Sequence, residues 1–230
     1  MDFRHLPRES ETASWSWAGL WLLSIYATIP LARGVQEAIR AQAGKLVFLW
    51  ITLLAVILAT GWVVRAIRRR ELALSPRRAA ILCAILAWYA WLLWTMRGNA
   101  EETFHFVQYG LLSILLFRAL SHRVADLSIY FAVTAIGTVC GIVDELIQWL
   151  VPLRYFELRD IVINLLAVAL VQLVLGAGIR PLFIQDHYSA AGMRIGLWAS
   201  VLCLALLALS LNISSESFSW GLLTHRFGEP

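Results

Sequence analysis

The chain has 230 residues, of which 60% are hydrophobic and only 15% charged, with a mean hydropathy of +0.72. A soluble domain is typically about 45–50% apolar and about 25% charged, so this composition excludes an ordinary water-soluble globule and points to lipid as the solvent. The net charge of +4 does not indicate nucleic acid, because the basic residues sit in short segments that flank apolar runs.

Apolar runs long enough to cross a hydrocarbon core recur along the chain and predict an all-α, polytopic helical bundle. In order they are Trp15–Leu31, Leu46–Val64, Ala79–Met96, Phe104–Leu120, Leu127–Val151, Ile161–Ile179 and Ile195–Leu211. That makes about seven spans, or six if the first only lies on the membrane. Pro30 interrupts the end of that first run, and residues 33–45 after it read as a loop or a short surface helix. The stretch before Trp15 lacks a basic region leading into a short apolar core and a small-residue cleavage site, so no cleaved signal peptide is expected. With no linker, repeat or low-complexity tract, residues 1–230 read as a single membrane domain.

Lys and Arg in short loops set the orientation. If the loop holding Arg65, Arg68, Arg69, Arg70, Arg77 and Arg78 is cytoplasmic, that side also collects Arg4, Arg8, Arg118, Arg123, Arg180 and Arg194, twelve basic residues against seven. The N-terminus is then cytoplasmic. Tryptophans near span ends, such as Trp15, Trp17, Trp62, Trp94 and Trp149, read as interface anchors. Cys83, Cys140 and Cys203 all fall inside apolar runs without CxxC or Cys/His spacing, which gives no disulfide framework and no metal site, and they read as packing residues.

The chemistry concentrates in two stretches. Glu101-Glu102-Thr-Phe-His105-Phe-Val-Gln-Tyr109-Gly110 opens the fourth span, and Asp144-Glu145-Leu-Ile-Gln148 closes the fifth. After a turn holding Arg154, the run Arg159-Asp160-Ile-Val-Ile-Asn164 opens the sixth. Alternating topology puts all of these in one layer, the outer half of the membrane. Helical spacing makes Gln148 a neighbour of both Asp144 and Glu145, Glu102 of His105, and Asp160 of Asn164. Ionisable groups at membrane depth are costly, so they tend to face the bundle interior or a water-filled cavity and to mark function. Glu102, His105, Asp144 and Glu145 are therefore the candidate acids and bases. Arg154 and Arg159 are the candidate anion contacts, each able to grip a carboxylate or phosphate through two parallel hydrogen bonds. Gln148, Asp160, Asn164 and Tyr109 complete the candidate binding set.

These segments together resemble the VanZ-like family of bacterial integral membrane proteins. The resemblance rests on an acid three residues before His-Phe followed by Tyr-Gly-Leu-Leu, on Asp-Glu-x-x-Gln at a helix end, on an Arg after a turn, and on Asp-x-x-x-Asn. In this sequence those features fall on Glu102, His105, Phe106, Tyr109, Gly110, Asp144, Glu145, Gln148, Arg154, Asp160 and Asn164. Leu153 stands where the family usually has a glycine, and Ala167 where a small glycine commonly follows the Asn. The resemblance covers a core at 101–176, leaving a three-span extension at 15–96 and an additional span at 195–211. It implies a bacterial cytoplasmic (inner) membrane and a link to the cell envelope, through a family tied to teicoplanin (glycopeptide) resistance, and it names no reaction.

Three functions fit the residues. One is binding of a lipid or lipid-linked envelope precursor by its head group in an outward-facing pocket. Another is a structural or assembly role beside other membrane subunits, with the polar residues as interhelical glue. The third is an enzyme acting on a head group by acid–base chemistry, for which no nucleophile motif, metal signature or phosphate loop speaks. No cofactor and no nucleic acid is expected.

Overall fold

The computed structural model describes residues 9–44, 46–68, 74–151 and 156–210. Within them lie seven helices: α1 (Glu11–Ala43), α2 (Val47–Arg68), α3 (Pro76–Thr95), α4 (Phe104–Leu120), α5 (Ser128–Leu150), α6 (Leu158–Leu173) and α7 (Ala190–Ser210). The described residues contain no β-strand; Asp126 and Gln185 form one isolated bridge. The protein is thus an all-α bundle, with each apolar run of the sequence forming a helix.

Five helical stretches are long and apolar enough to cross a membrane: α2, residues 76–100, α5, α6 with its extension to Ile179, and α7. The fourth helix, at 17 residues, is at the short end of what spans a bilayer. The first is bent by 77° between Glu11–Leu31 and Gly34–Ala43, just past Pro30, so the polar residues after it form a helix that leaves the direction of the span.

Local chemistry sets several of the boundaries. Ser10 accepts the Ala13 amide at the start of α1, and Ser75 does the same for Arg78 ahead of Pro76 in α3. Gly44, with φ of +75°, ends α1 in a conformation that a side chain would strain. The link from α3 to α4, Met96–Thr103, is made of 3-10 turns broken at Asn99, and α6 continues as a π-helical turn over Val174–Ile179.

The core is the mutual packing of α4, α5 and α6, with α7 against α5 and α1 against α4. Small residues allow these approaches. A Cβ on Gly137 would come within 2.8 Å of the Val168 methyls, and one on Gly141 within 2.9 Å of the Asn164 Cβ, so α5 meets α6 along a Gly-x-x-x-Gly stripe. Gly192 and Gly196 of α7 lie tighter still against Ser128 and Phe131 of α5. Elsewhere α2, α3 and α7 expose large apolar side chains such as Trp50, Leu58, Trp91 and Trp198, as helices facing lipid do. Cys140 and Cys203 are buried, as packing residues should be, but Cys83 is exposed because the packed face of α3 runs through Leu82, Ile85, Tyr89 and Leu92 and Cys83 lies off it.

Two ends follow from the alternation of the helices. The starts of α4 and α6 share one end with the close of α5. The starts of α1, α5 and α7 share the other.

Candidate functional site

The site is built where α4 and α6 begin and α5 ends. On α4, His105 and Tyr109 are one turn apart and their rings stack at 6.3 Å. Tyr109 is fully buried, and its hydroxyl donates to Asp144 Oδ2 at 2.9 Å while lying 3.4 Å from the Cys140 carbonyl. That carbonyl also accepts the Tyr26 hydroxyl of α1 at 2.8 Å, so two phenols close over the same turn of α5.

Adjacent positions on α5 look in different directions. Asp144 faces α4, while Glu145 faces the approach to α6, accepting the Gln148 side-chain amide at 2.7 Å and the Glu157 backbone N–H at 3.1 Å. Neither carboxylate is more than 2% exposed, which is what makes them costly and therefore informative.

The first turn of α6 adds two contacts. His105 Nε2 lies 3.8 Å from Asp160 Oδ2, an ion-pair distance beyond that of a hydrogen bond. Arg159 lies 2.8 Å from Glu102 Oε2, with about half of its side chain exposed at 52%. The other Glu102 oxygen accepts from the Asn99 amide at 2.9 Å. Burial pushes the Glu102 carboxyl above its ordinary range, and Asn99 and Arg159 pull it down without cancelling that effect.

Of the residues read from the sequence, the structure joins Glu102 to Arg159, His105 to Asp160 and Tyr109, Tyr109 to Asp144, and Glu145 to Gln148. Asn164 lies one turn deeper on α6 than Asp160, fully buried against Gly141. Helical spacing paired Glu102 with His105, but Glu102 sits in the 3-10 segment ahead of α4 and turns to Asn99 and Arg159 instead. Arg154 lies outside the described residues, as does the side chain of Glu101. Sequence reasoning overlooked Asn99, Tyr26 and the Glu157 amide. A polar residue three before Glu102 was a legible signal for the first; the other two depend on how α1 and the α6 approach pack. Among the described residues no group of three His, Cys, Asp or Glu side chains is placed to hold a metal ion.

A family model described as VanZ/LLP1 matches residues 44–177, more than half of the chain, and the chain belongs to that family. The match takes in every residue of the site except Tyr26 and reaches upstream over α2 and α3, while α1 and α7 lie outside it. No curated protein and no solved structure matches the chain.

Proposed function

We propose that this multi-pass VanZ/LLP1 protein sits in a bacterial cytoplasmic membrane with the α4–α5–α6 site facing outward, where it binds the phosphate-bearing head group of a lipid or lipid-linked envelope precursor. The observation that carries the reading is Arg159, a guanidinium anchored by Glu102 yet half exposed at the mouth of a cluster of buried polar groups. A guanidinium has five N–H donors, so one held by a carboxylate still offers donors to a phosphate. Asp144, Glu145 and Gln148 behind it give hydroxyls or amines of the same head group acceptors deeper in the bundle. The outward orientation draws on the basic residues that flank the opposite end, Arg65, Arg68, Arg118, Arg123 and Arg180 among them.

Binding of phosphatidic acid to the full-length protein in nanodiscs tests the reading, with diacylglycerol as the phosphate-free control. Arg159→Ala should weaken phosphatidic acid binding about tenfold, equivalent to about 1.4 kcal/mol, and leave diacylglycerol unaffected. Equal binding by the variant and the parent overturns it. Turnover of a phospholipid that is lost in Glu145→Gln would instead make the site an enzyme, with Glu145 among its acid–base groups. Single cysteines at Arg69 and Arg154, in a background lacking Cys83, Cys140 and Cys203, should react from opposite sides of the membrane; labelling of both from outside removes the orientation.

A further inference from the structure

Every fourth residue from Asp160 through Asn164, Val168, Gln172 and Gly176 to Arg180 falls on one ridge of α6 and its π-helical end. At ~1.5 Å per residue the ridge is about 30 Å long, the thickness of a hydrocarbon core. Polar groups attend almost every step. His105 meets Asp160 at one end. Ser113 of α4 donates to the Val168 carbonyl at 3.2 Å and accepts from the Gln172 amide at 2.8 Å. Gly176 leaves room for the ring of Tyr130, to which a Cβ there would approach within 3.3 Å. Tyr130 in turn lies within electrostatic reach of the Arg180–Asp186 pair at the opposite end.

Three groups along this line carry buried atoms with no hydrogen-bond partner among the described residues: both amide atoms of Asn164, Oε1 of Gln172 and the hydroxyl of Tyr130. Over 90% of buried backbone polar groups and most buried side-chain ones have a partner, from protein or ordered water, and each one left without costs about 1–3 kcal/mol. Asn164 is no interhelical glue, since its amide bonds to neither neighbouring helix. The π-helical turn, closed by the Arg180 amide on the Leu175 carbonyl, falls on the same line, and such turns are frequent at functional sites.

We propose that the α4–α6 seam, continued by Tyr130 of α5, is a hydrated file that carries protons between the two faces of the membrane. Successive ridge positions are ~6 Å apart, a gap that roughly one or two waters bridge when polar partners line it. The charged or ionisable pairs His105–Asp160 and Arg180–Asp186 stand at the two mouths. Between them the amides and hydroxyls of Asn164, Ser113, Gln172 and Tyr130 bond the waters without holding a charge in the membrane centre, where a charge is most costly.

The full-length protein in liposomes loaded with pyranine, under a valinomycin-set potassium potential negative inside, reads the flux directly. Wild-type vesicles should acidify several-fold faster than protein-free ones, with no requirement for external sodium. Gln172→Leu and Asn164→Leu should each cut the rate at least tenfold. Tyr130→Phe, which keeps the ring against Phe117 and Gly176 and removes only the hydroxyl, should cut it at least threefold. Wild-type flux equal to that of protein-free vesicles overturns the proposal, as does flux that depends on sodium. If Asn164→Leu fails to fold against Gly141, Tyr130→Phe decides alone: full flux in that variant overturns the proposal. The inference does not rest on head-group binding, so absent flux would leave Arg159-dependent binding of phosphatidic acid standing.

Discussion

Asp126 and Asp144 are aspartates at opposite ends of the same bundle, and burial does not distinguish them, at 4% and 2% exposure. Their surroundings do. Asp126 lies in the turn before α5, where its carboxylate accepts the Ser128 amide and hydroxyl and the Ser189 amide at 3.2 Å, and so caps the starts of both α5 and α7. Backbone pairing reinforces that junction, with Leu127 donating to the His187 carbonyl and Gln185 to that of Ala125. Asp144 instead projects from the body of a membrane-spanning helix and meets the phenol of Tyr109 on the next helix. A carboxylate that satisfies helix starts gives the fold something no apolar residue supplies. One placed within a span is replaceable, as far as folding goes, by a neutral group of the same shape, and its presence there points to function.

The sharpest way to break this contrast is Asp144→Asn. The amide oxygen still accepts from Tyr109, so stability should change by less than about 1 kcal/mol, while binding of phosphatidylethanolamine in nanodiscs, whose amine loses a charged acceptor, should weaken about tenfold. A large loss of stability with unchanged binding would make both aspartates structural. Asp126→Ala should behave in the opposite sense, costing about 2–3 kcal/mol in thermal or denaturant unfolding and leaving binding per folded molecule intact. Acid should find the same junction. Burial works to raise the Asp126 carboxyl, but the hydrogen bonds from Ser128 and Ser189 outweigh it and hold the group at about 2, below its ordinary 3.8. A depressed value means that the stabilisation is present above pH 3.8 and is lost as pH falls through about 2. Unfolding followed over that window should steepen in the parent and be flatter in Asp126→Ala.

Much of this arrangement was legible in the sequence, for physical reasons that also mark where the reading stopped. Apolar length identifies spans because lipid allows few alternatives to a helix, and the run Phe104–Leu120 coincides with α4 to the residue. The clustering of Glu102, His105, Asp144, Glu145 and Asp160 followed from alternation alone, since antiparallel neighbours bring their ends to one layer. Side-chain direction did not follow. Whether Glu102 turns to His105 or to Arg159 depends on the 3-10 turns after Met96, which no periodicity announces. The Gly137 and Gly141 stripe and the ridge from Asp160 to Arg180 were present as four-residue spacings, but Ser113 and Gln172 are single polar residues in apolar runs. Only the packing of α4 on α6 shows that they meet.

The smallest effect is expected where charges are most conspicuous. At the Asp126 end the first residues of α1 reach the end of α4, with Glu9 bonded to Arg118 and Glu11 to Arg123, and with Ser14 3.1 Å from His122. These pairs resemble a latch on the N-terminal helix, yet the Arg123 side chain is 68% exposed and its partner 34%. Exposed pairs gain little, because water screens the attraction and two long side chains lose freedom in forming it. What holds α1 is its apolar face, including the buried Ala18 and Ile25, together with Trp21 and Tyr26, whose polar atoms donate to the Gln108 and Cys140 carbonyls. Glu11→Gln should therefore cost about 0.2–1 kcal/mol at low salt, and the difference should vanish near 1 M salt, where the screening length is about 3 Å. A larger, salt-independent loss would mean that the ion pair positions α1, and that the far end, like the site end, depends on charges placed for more than solubility.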